Sequence, residues 1–158
     1  MNLSRFDTRT GSEEGQWLDI LDWDWETKIG FRVKVLGPDS SEAAKIADEE
    51  EKSFQAKLAE AYARGKKKDL EQDELSVDRS IEKAARLTVD WEGAEWEGKP
   101  LPFTKENAIM LYTNCSHIRT QVLSYHAAKA NFTKGESSNS APSSDSVSRS
   151  TTRAKKER

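Results

Sequence analysis

Asp22, Asp24 and Glu26 alternate with Trp23 and Trp25, and this acidic spacing superficially matches the opening of a calcium loop. A calcium loop of the EF-hand type needs Gly at its sixth position and a bidentate Glu at its twelfth. Counted from Asp22, those positions hold Thr27 and Val33, so no calcium loop is expected. Carried on a strand, the three carboxylates would share one solvated face. The histidines, His117 and His126, stand nine residues apart. On a helix that is a rotation of about 900°, so the rings point to opposite sides and share no metal. Cys115 with His117 offers two ligands where zinc takes three or four. Nor does a Cys and a His two residues apart at a helix break form a nucleophile, base and oxyanion hole. No nucleophile elbow, phosphate-binding P-loop or dinucleotide turn occurs. Acidic residues are so frequent that no pair stands out as acid and base. No catalytic residue, cofactor or metal is therefore expected, and the chain reads as non-enzymatic.

The five tryptophans are the unusual feature. Trp17, Trp23, Trp25, Trp91 and Trp96 all lie in or beside predicted strands. They form either a small sheet core or an exposed aromatic patch for a protein partner, since Trp is enriched in interface hot spots. A small core does not easily hide all five, which makes Trp23, Trp25 and Trp96 candidate contacts. Lys66-Lys67-Lys68 and the tail residues Arg149, Arg153, Lys155, Lys156 and Arg158 raise a nucleic-acid alternative. Such runs are more often helix ends and solubilising tails, and a net charge of −3 lacks the basic bias of a phosphate-neutralising surface.

The elements that must position these residues follow from periodicity. Gln16 to Gly37 reads as a hairpin, its second strand alternating Ile29, Phe31, Val33 and Val35 with Lys28, Gly30, Arg32 and Lys34. Asp39 or Ser40 caps a helix over Ser41–Arg64, which Gly65 ends. Its apolar stripe includes Ala43, Ala44, Ile46, Ala47, Phe54, Leu58, Ala61 and Tyr62. Residues 69–76 are an acidic connector or weak helix, and Val77 to Ala85 fits a short helix. Leu87, Val89 and Trp91 mark a third strand. Thr104 to Asn107 caps a helix burying Ala108, Ile109, Leu111 and Tyr112, and Ser116 caps the last helix, leading to Phe132. The expected fold class is α+β, a small antiparallel sheet or hairpin packed with three to four helices and a disordered C-terminal tail.

Hydrophobic residues make up 35% and charged residues 34%, against about 45–50% and 25% in ordinary globular chains. The core is thus small for 158 residues. The expected layout is a flexible lead-in over 1–15, one domain over 16–133 and a disordered Ser/Lys/Arg-rich tail over 134–158. A single cysteine forbids an intramolecular disulfide. No apolar run approaches the roughly 18–20 residues of a membrane span, and residues 1–15 carry no signal-like apolar stretch. A cytoplasmic location without membrane contact is expected.

Residues 87–132 carry a more specific pattern. Leu87-Thr88-Val89-Asp90-Trp91-Glu92-Gly93 precedes Gly98-Lys99-Pro100-Leu101-Pro102-Phe103-Thr104-Lys105-Glu106-Asn107-Ala108, then Ile118-Arg119-Thr120-Gln121-Val122 and Asn131-Phe132. This order resembles the tail assembly chaperones of tailed bacteriophages, in which a W-x-G turn leads to G-x-P-x-P-[FY]-[ST]-x-E-N-A and a helix ending near N-F. The hairpin followed by Gly37-Pro38-Asp39-Ser40 is also similar to that family, so the likeness covers roughly residues 16–133. The resemblance implies a non-enzymatic protein of the host cytoplasm that coats the helix-rich tape-measure protein and helps recruit tail-tube subunits, with self-association left open. For a protein with that role, the expected contact surface in this chain is the sheet aromatics Trp23, Trp25 and Trp96 together with Phe54, Leu58 and Tyr62 on the long helix. The alternative is a structural virion component, a minor tail or head-tail connector protein.

Overall fold

The alternation that begins at Lys28 dictates a strand with one wet and one dry face. In the computed structural model, which describes residues 1–65 and 73–133, strand β1 (Gln16–Leu21) pairs antiparallel with β2 (Lys28–Val35). Phe31, Val33 and Val35 are buried, while Ile29, nearer the turn, is exposed. The third strand, β3 (Thr88–Glu92), pairs antiparallel with the other edge of β2, so the order is β1-β2-β3. Its faces differ from the expected Leu87-Val89-Trp91 alternation. Register places Trp91 opposite Val33 and Thr88 opposite Val35, with an irregularity between them. A bulge of this kind reverses which residues face inward. Thr88 is therefore buried and Val89 exposed. The Thr88 hydroxyl lies 2.8 Å from the Ala84 carbonyl and 2.7 Å from the Tyr112 hydroxyl, which satisfies the buried oxygen.

Five α-helices occur among the described residues. The first, α1 (Arg9–Glu14), corrects the expected lead-in over 1–15. Its Gly11 and Ser12 are buried, and α1 packs on a 3-10 turn at Lys129–Phe132. A Cβ on Gly11 would lie 2.0 Å from the Phe132 carbonyl oxygen, so only Gly permits the approach. The long helix α2 (Ser41–Arg64) begins where Ser40 Oγ accepts from Ala43 N at 3.1 Å. It ends at Gly65, which is left-handed at φ 72°. Of its expected stripe, only Ile46 and Ala61 are buried.

Helix α3 (Asp73–Leu87) is longer than the expected Val77–Ala85 segment. It ties to the first half of α2 through Arg86, which lies 2.7 Å from both Glu42 and Glu49. The small hairpin of β4 (Glu95–Trp96) and β5 (Lys99–Pro100) turns through left-handed Glu97 and Gly98. Helix α4 (Lys105–Asn114) starts with the predicted Thr104 cap, its side chain accepting from Asn107 N at 3.0 Å. Ala108, Leu111 and Tyr112 are buried, but Ile109, expected with them, faces solvent. Ser116 does not cap α5 (Ser116–Ala127). It is the helix's first residue, and Cys115 holds the cap position without a side-chain hydrogen bond.

Helices α3, α4 and α5 pack together, and α5 lies against β1 and β2. The core joins Ile20, Val33, Val35, Leu87, Tyr112 and Val122. No helix among the described residues is long and apolar enough to cross a membrane. The tail expected over 134–158 lies outside the described residues, as do residues 69–72 of the expected connector, whereas 73–76 open α3.

Candidate partner-binding site

The turn between β1 and β2 occupies residues 22–27, and its own side chains close it. Asp22 N–H donates to the Thr27 carbonyl at 2.8 Å, and Trp25 N–H to the Asp22 carbonyl at 2.9 Å. The Asp24 carboxylate accepts from Glu26 N at 2.8 Å, Thr27 N at 2.9 Å and Thr27 Oγ1 at 2.7 Å. This is the turn chemistry for which Asp is suited. The amide and hydroxyl of Thr27 pull the Asp24 carboxyl down to about 2, with the Glu26 amide assisting. Trp25 sits at φ 62°, a left-handed conformation that few bulky residues adopt. The acidic triplet therefore lies in this turn rather than along a strand face. Among the described residues, no three His, Cys, Asp or Glu side chains converge as metal ligands.

The turn rests on α5. Gln121, buried one turn into that helix, accepts from Leu21 N at 2.8 Å and donates Nε2–H to the Leu21 carbonyl at 2.9 Å. It thus completes the backbone pairing of β1 where the β1–β2 register shifts. His117 Nε2 lies 3.1 Å from the Leu21 carbonyl and 3.0 Å from the Asp22 carbonyl. Two facing carbonyl oxygens suit a proton on Nε2, and the Gln121 amide nitrogen lies 3.1 Å from the same atom. With its ring so held, His117 supports both tryptophans. Trp23 stacks on it at 4.4 Å and 22°, and Trp25 meets it edge-on at 4.6 Å and 77°. Both indoles nevertheless remain open to solvent, Trp23 77% and Trp25 53% exposed.

The candidate contacts therefore divide into separate groups. Trp23 and Trp25 come together on His117. Trp96 is half-buried and packs against the core, so it belongs to the small hairpin and not to the exposed pair. Phe54 and Tyr62 project from α2, 44% and 58% exposed, while Leu58 is half-buried. Phe54 borders an open groove of about 600 Å³ with Arg79, Lys83, Leu123, His126 and Ala127. The other two tryptophans are structural: Trp91 is buried and donates to the Leu101 carbonyl at 2.8 Å, and Trp17 lies under the Arg32 guanidinium at 4.4 Å.

His117 and Gln121 escaped the sequence reading as positioning residues. The sequence weighed His117 as a metal ligand and as a base beside Cys115, and the separation of about a hundred residues between α5 and the turn left no local signal. His126 is buried with Nδ1 2.8 Å from the Leu36 carbonyl. Burial pushes its pKa down, against the opposing effect of that hydrogen bond. Burial also raises the Cys115 thiol, which keeps it away from the thiolate form a nucleophile needs.

No family model matches the chain, no curated protein matches it, and no solved structure matches it.

Proposed function

We propose that this chain is a non-enzymatic tail assembly chaperone of a tailed bacteriophage. In this reading it binds the tape-measure protein in the host cytoplasm and helps to recruit tail-tube subunits as the tail forms. The observation that carries the proposal is the presentation of Trp23 and Trp25, held on His117 yet more than half exposed. Paired large aromatics on a closed turn are the kind of surface that anchors a protein partner. The order of sequence blocks from Trp91 to Phe132 supports the family assignment, and the exposed Phe54 and Tyr62 on α2 supply a second apolar strip. A chaperone of this kind must later be displaced by tube protein. Each copy is expected to bind modestly, with many copies along one long partner giving avidity.

The test is a pull-down of tagged protein from cells expressing its native gene cluster, read by mass spectrometry alongside purified particles. A very long helical protein and a tail-tube subunit in the pull-down, with the chain missing from particles, is the expected result. Persistence of the chain in finished particles would make it a structural virion component instead.

A further inference from the structure

Three tryptophans belong to the first hairpin, and their electrostatic surroundings differ. Trp17 lies on the wet face of β1 with the Arg32 guanidinium 4.4 Å and the Lys34 ammonium 5.9 Å from its ring. Its cations come from the neighbouring strand. Trp23 and Trp25 meet His117 instead, and no lysine or arginine among the described residues lies over either ring. The charged residues threaded through their turn are Asp22, Asp24 and Glu26, all exposed. Lys28, the first cation after the turn, is drawn to Asp19 at 3.4 Å. The turn therefore combines two open indoles with carboxylates.

An indole face attracts a cation within about 6 Å, most strongly for arginine. Neighbouring carboxylates add to that attraction at short range, and salt weakens it. We infer that the Asp22–Thr27 turn docks a basic segment of a partner polypeptide, with an arginine or lysine side chain over Trp23 or Trp25 and its head group facing the carboxylates of Asp22 and Glu26. The arrangement would repeat, between two chains, the pairing that Arg32 makes with Trp17 within one. Asp24 is committed to the turn's own amides, so it shapes the site and adds charge to it, while Asp22 Oδ1 accepts from Trp23 N at 2.7 Å and leaves its other oxygen to the cation. The inference rests on the reading of this turn as a partner contact and specifies what that contact selects.

Indole Nε1–H resonances of the ¹⁵N-labelled full chain give the test. One probe is a synthetic amphipathic helical peptide with arginines along its polar face, and its twin has each arginine replaced by glutamate. The arginine peptide is expected to move the Trp23 and Trp25 signals and leave that of Trp91 in place, and its binding should weaken in added salt. The double variant Asp22→Asn, Glu26→Gln should weaken that binding by about tenfold, with an unchanged Trp91 signal showing that the fold is intact. Equal shifts with the glutamate peptide would overturn the cation preference while leaving the turn a partner contact. No shift with either peptide would overturn the inference and count against the contact reading as well. The chain's own basic end is the competing occupant. If Arg153→Glu, Lys155→Glu, Lys156→Glu alone displaces the Trp23 and Trp25 signals of the free protein, that segment fills the turn and the partner inference fails.

Discussion

At the base of the first hairpin the chain is packed so closely that a single added carbon does not fit, whereas at its tip two indoles stand in solvent. Near the base, Gly37 N–H donates to the Ser12 carbonyl at 3.0 Å. A Cβ on Gly37 would lie 2.2 Å from Ser12 Oγ and 2.7 Å from the Phe132 ring. Phe132 is fully buried, its ring edge-on to Tyr125 at 5.4 Å. The tip instead depends on hydrogen bonds within the turn and on two side chains of α5. Removing apolar area from water stabilises the base, while the tip leaves such area exposed. The difference teaches that one hairpin separates folding from presentation: its base joins α1 to the 3-10 turn at Lys129–Phe132, and its tip is held in shape but left uncovered.

The largest effects should therefore fall at the base. Phe132→Ala removes a fully buried ring and is expected to cost about 4 kcal/mol. Gly37→Ala forces a carbon against Ser12 and Phe132 and is expected to cost about 3 kcal/mol. Urea unfolding monitored by far-ultraviolet circular dichroism measures both. Costs below about 1 kcal/mol would mean that this junction yields easily, and the contrast with the tip would collapse.

A smaller loss is expected from Gln121→Ala. It leaves the Leu21 N–H without its side-chain partner, while the Leu21 carbonyl keeps His117 Nε2 at 3.1 Å, which should cost about 2 kcal/mol, since an unpaired part-buried backbone donor is penalised. Its second effect separates tip from base. Trp23 and Trp25 indole signals should broaden or move while that of Trp91 stays. A uniform change in all three would show that Gln121 supports the whole sheet and not the tip.

Regions governed by local periodicity and capping were readable from the chain. Ser40 and Gly65 bracket the long helix where the cap signals put them, because those signals depend on residues adjacent to the helix ends. Thr104 opens α4 for the same reason. Two kinds of feature were hidden. Helix α1 is built around Gly11 and Ser12, and close backbone approach of small residues leaves no apolar pattern to find. The bulge that buries Thr88 in place of Val89 is set by pairing with β2, more than fifty residues earlier. At the site, the five tryptophans drew attention to Trp23 and Trp25 by type alone. Their division from Trp96 and their seat on His117 needed the third dimension, because the surfaces of α5 and the turn meet only after folding.

Acid should separate the two regions again, with the base responding first and the tip last. His126 is buried between α5 and the chain after β2, and burial depresses its pKa below the ordinary 6.5. The unfolded chain then takes up a proton more readily, so stability is fully present above 6.5 and falls as pH drops from there through the lower folded value. Asp24 behaves alike in sign, over a more acidic window. Its pKa falls from an ordinary 3.8 to about 2, so what its carboxylate contributes to the turn is present above 3.8 and lost as pH falls through about 2. Tryptophan fluorescence below pH 3.8 should report loosening around Trp23 and Trp25 as Asp24 releases the Thr27 and Glu26 amides. In Asp24→Asn the side-chain oxygen still accepts from those amides but does not titrate, so this last change should flatten while the His126 step remains. An equally steep acid change in that variant would show that protonation elsewhere opens the tip, and that Asp24 does not hold the indoles in place.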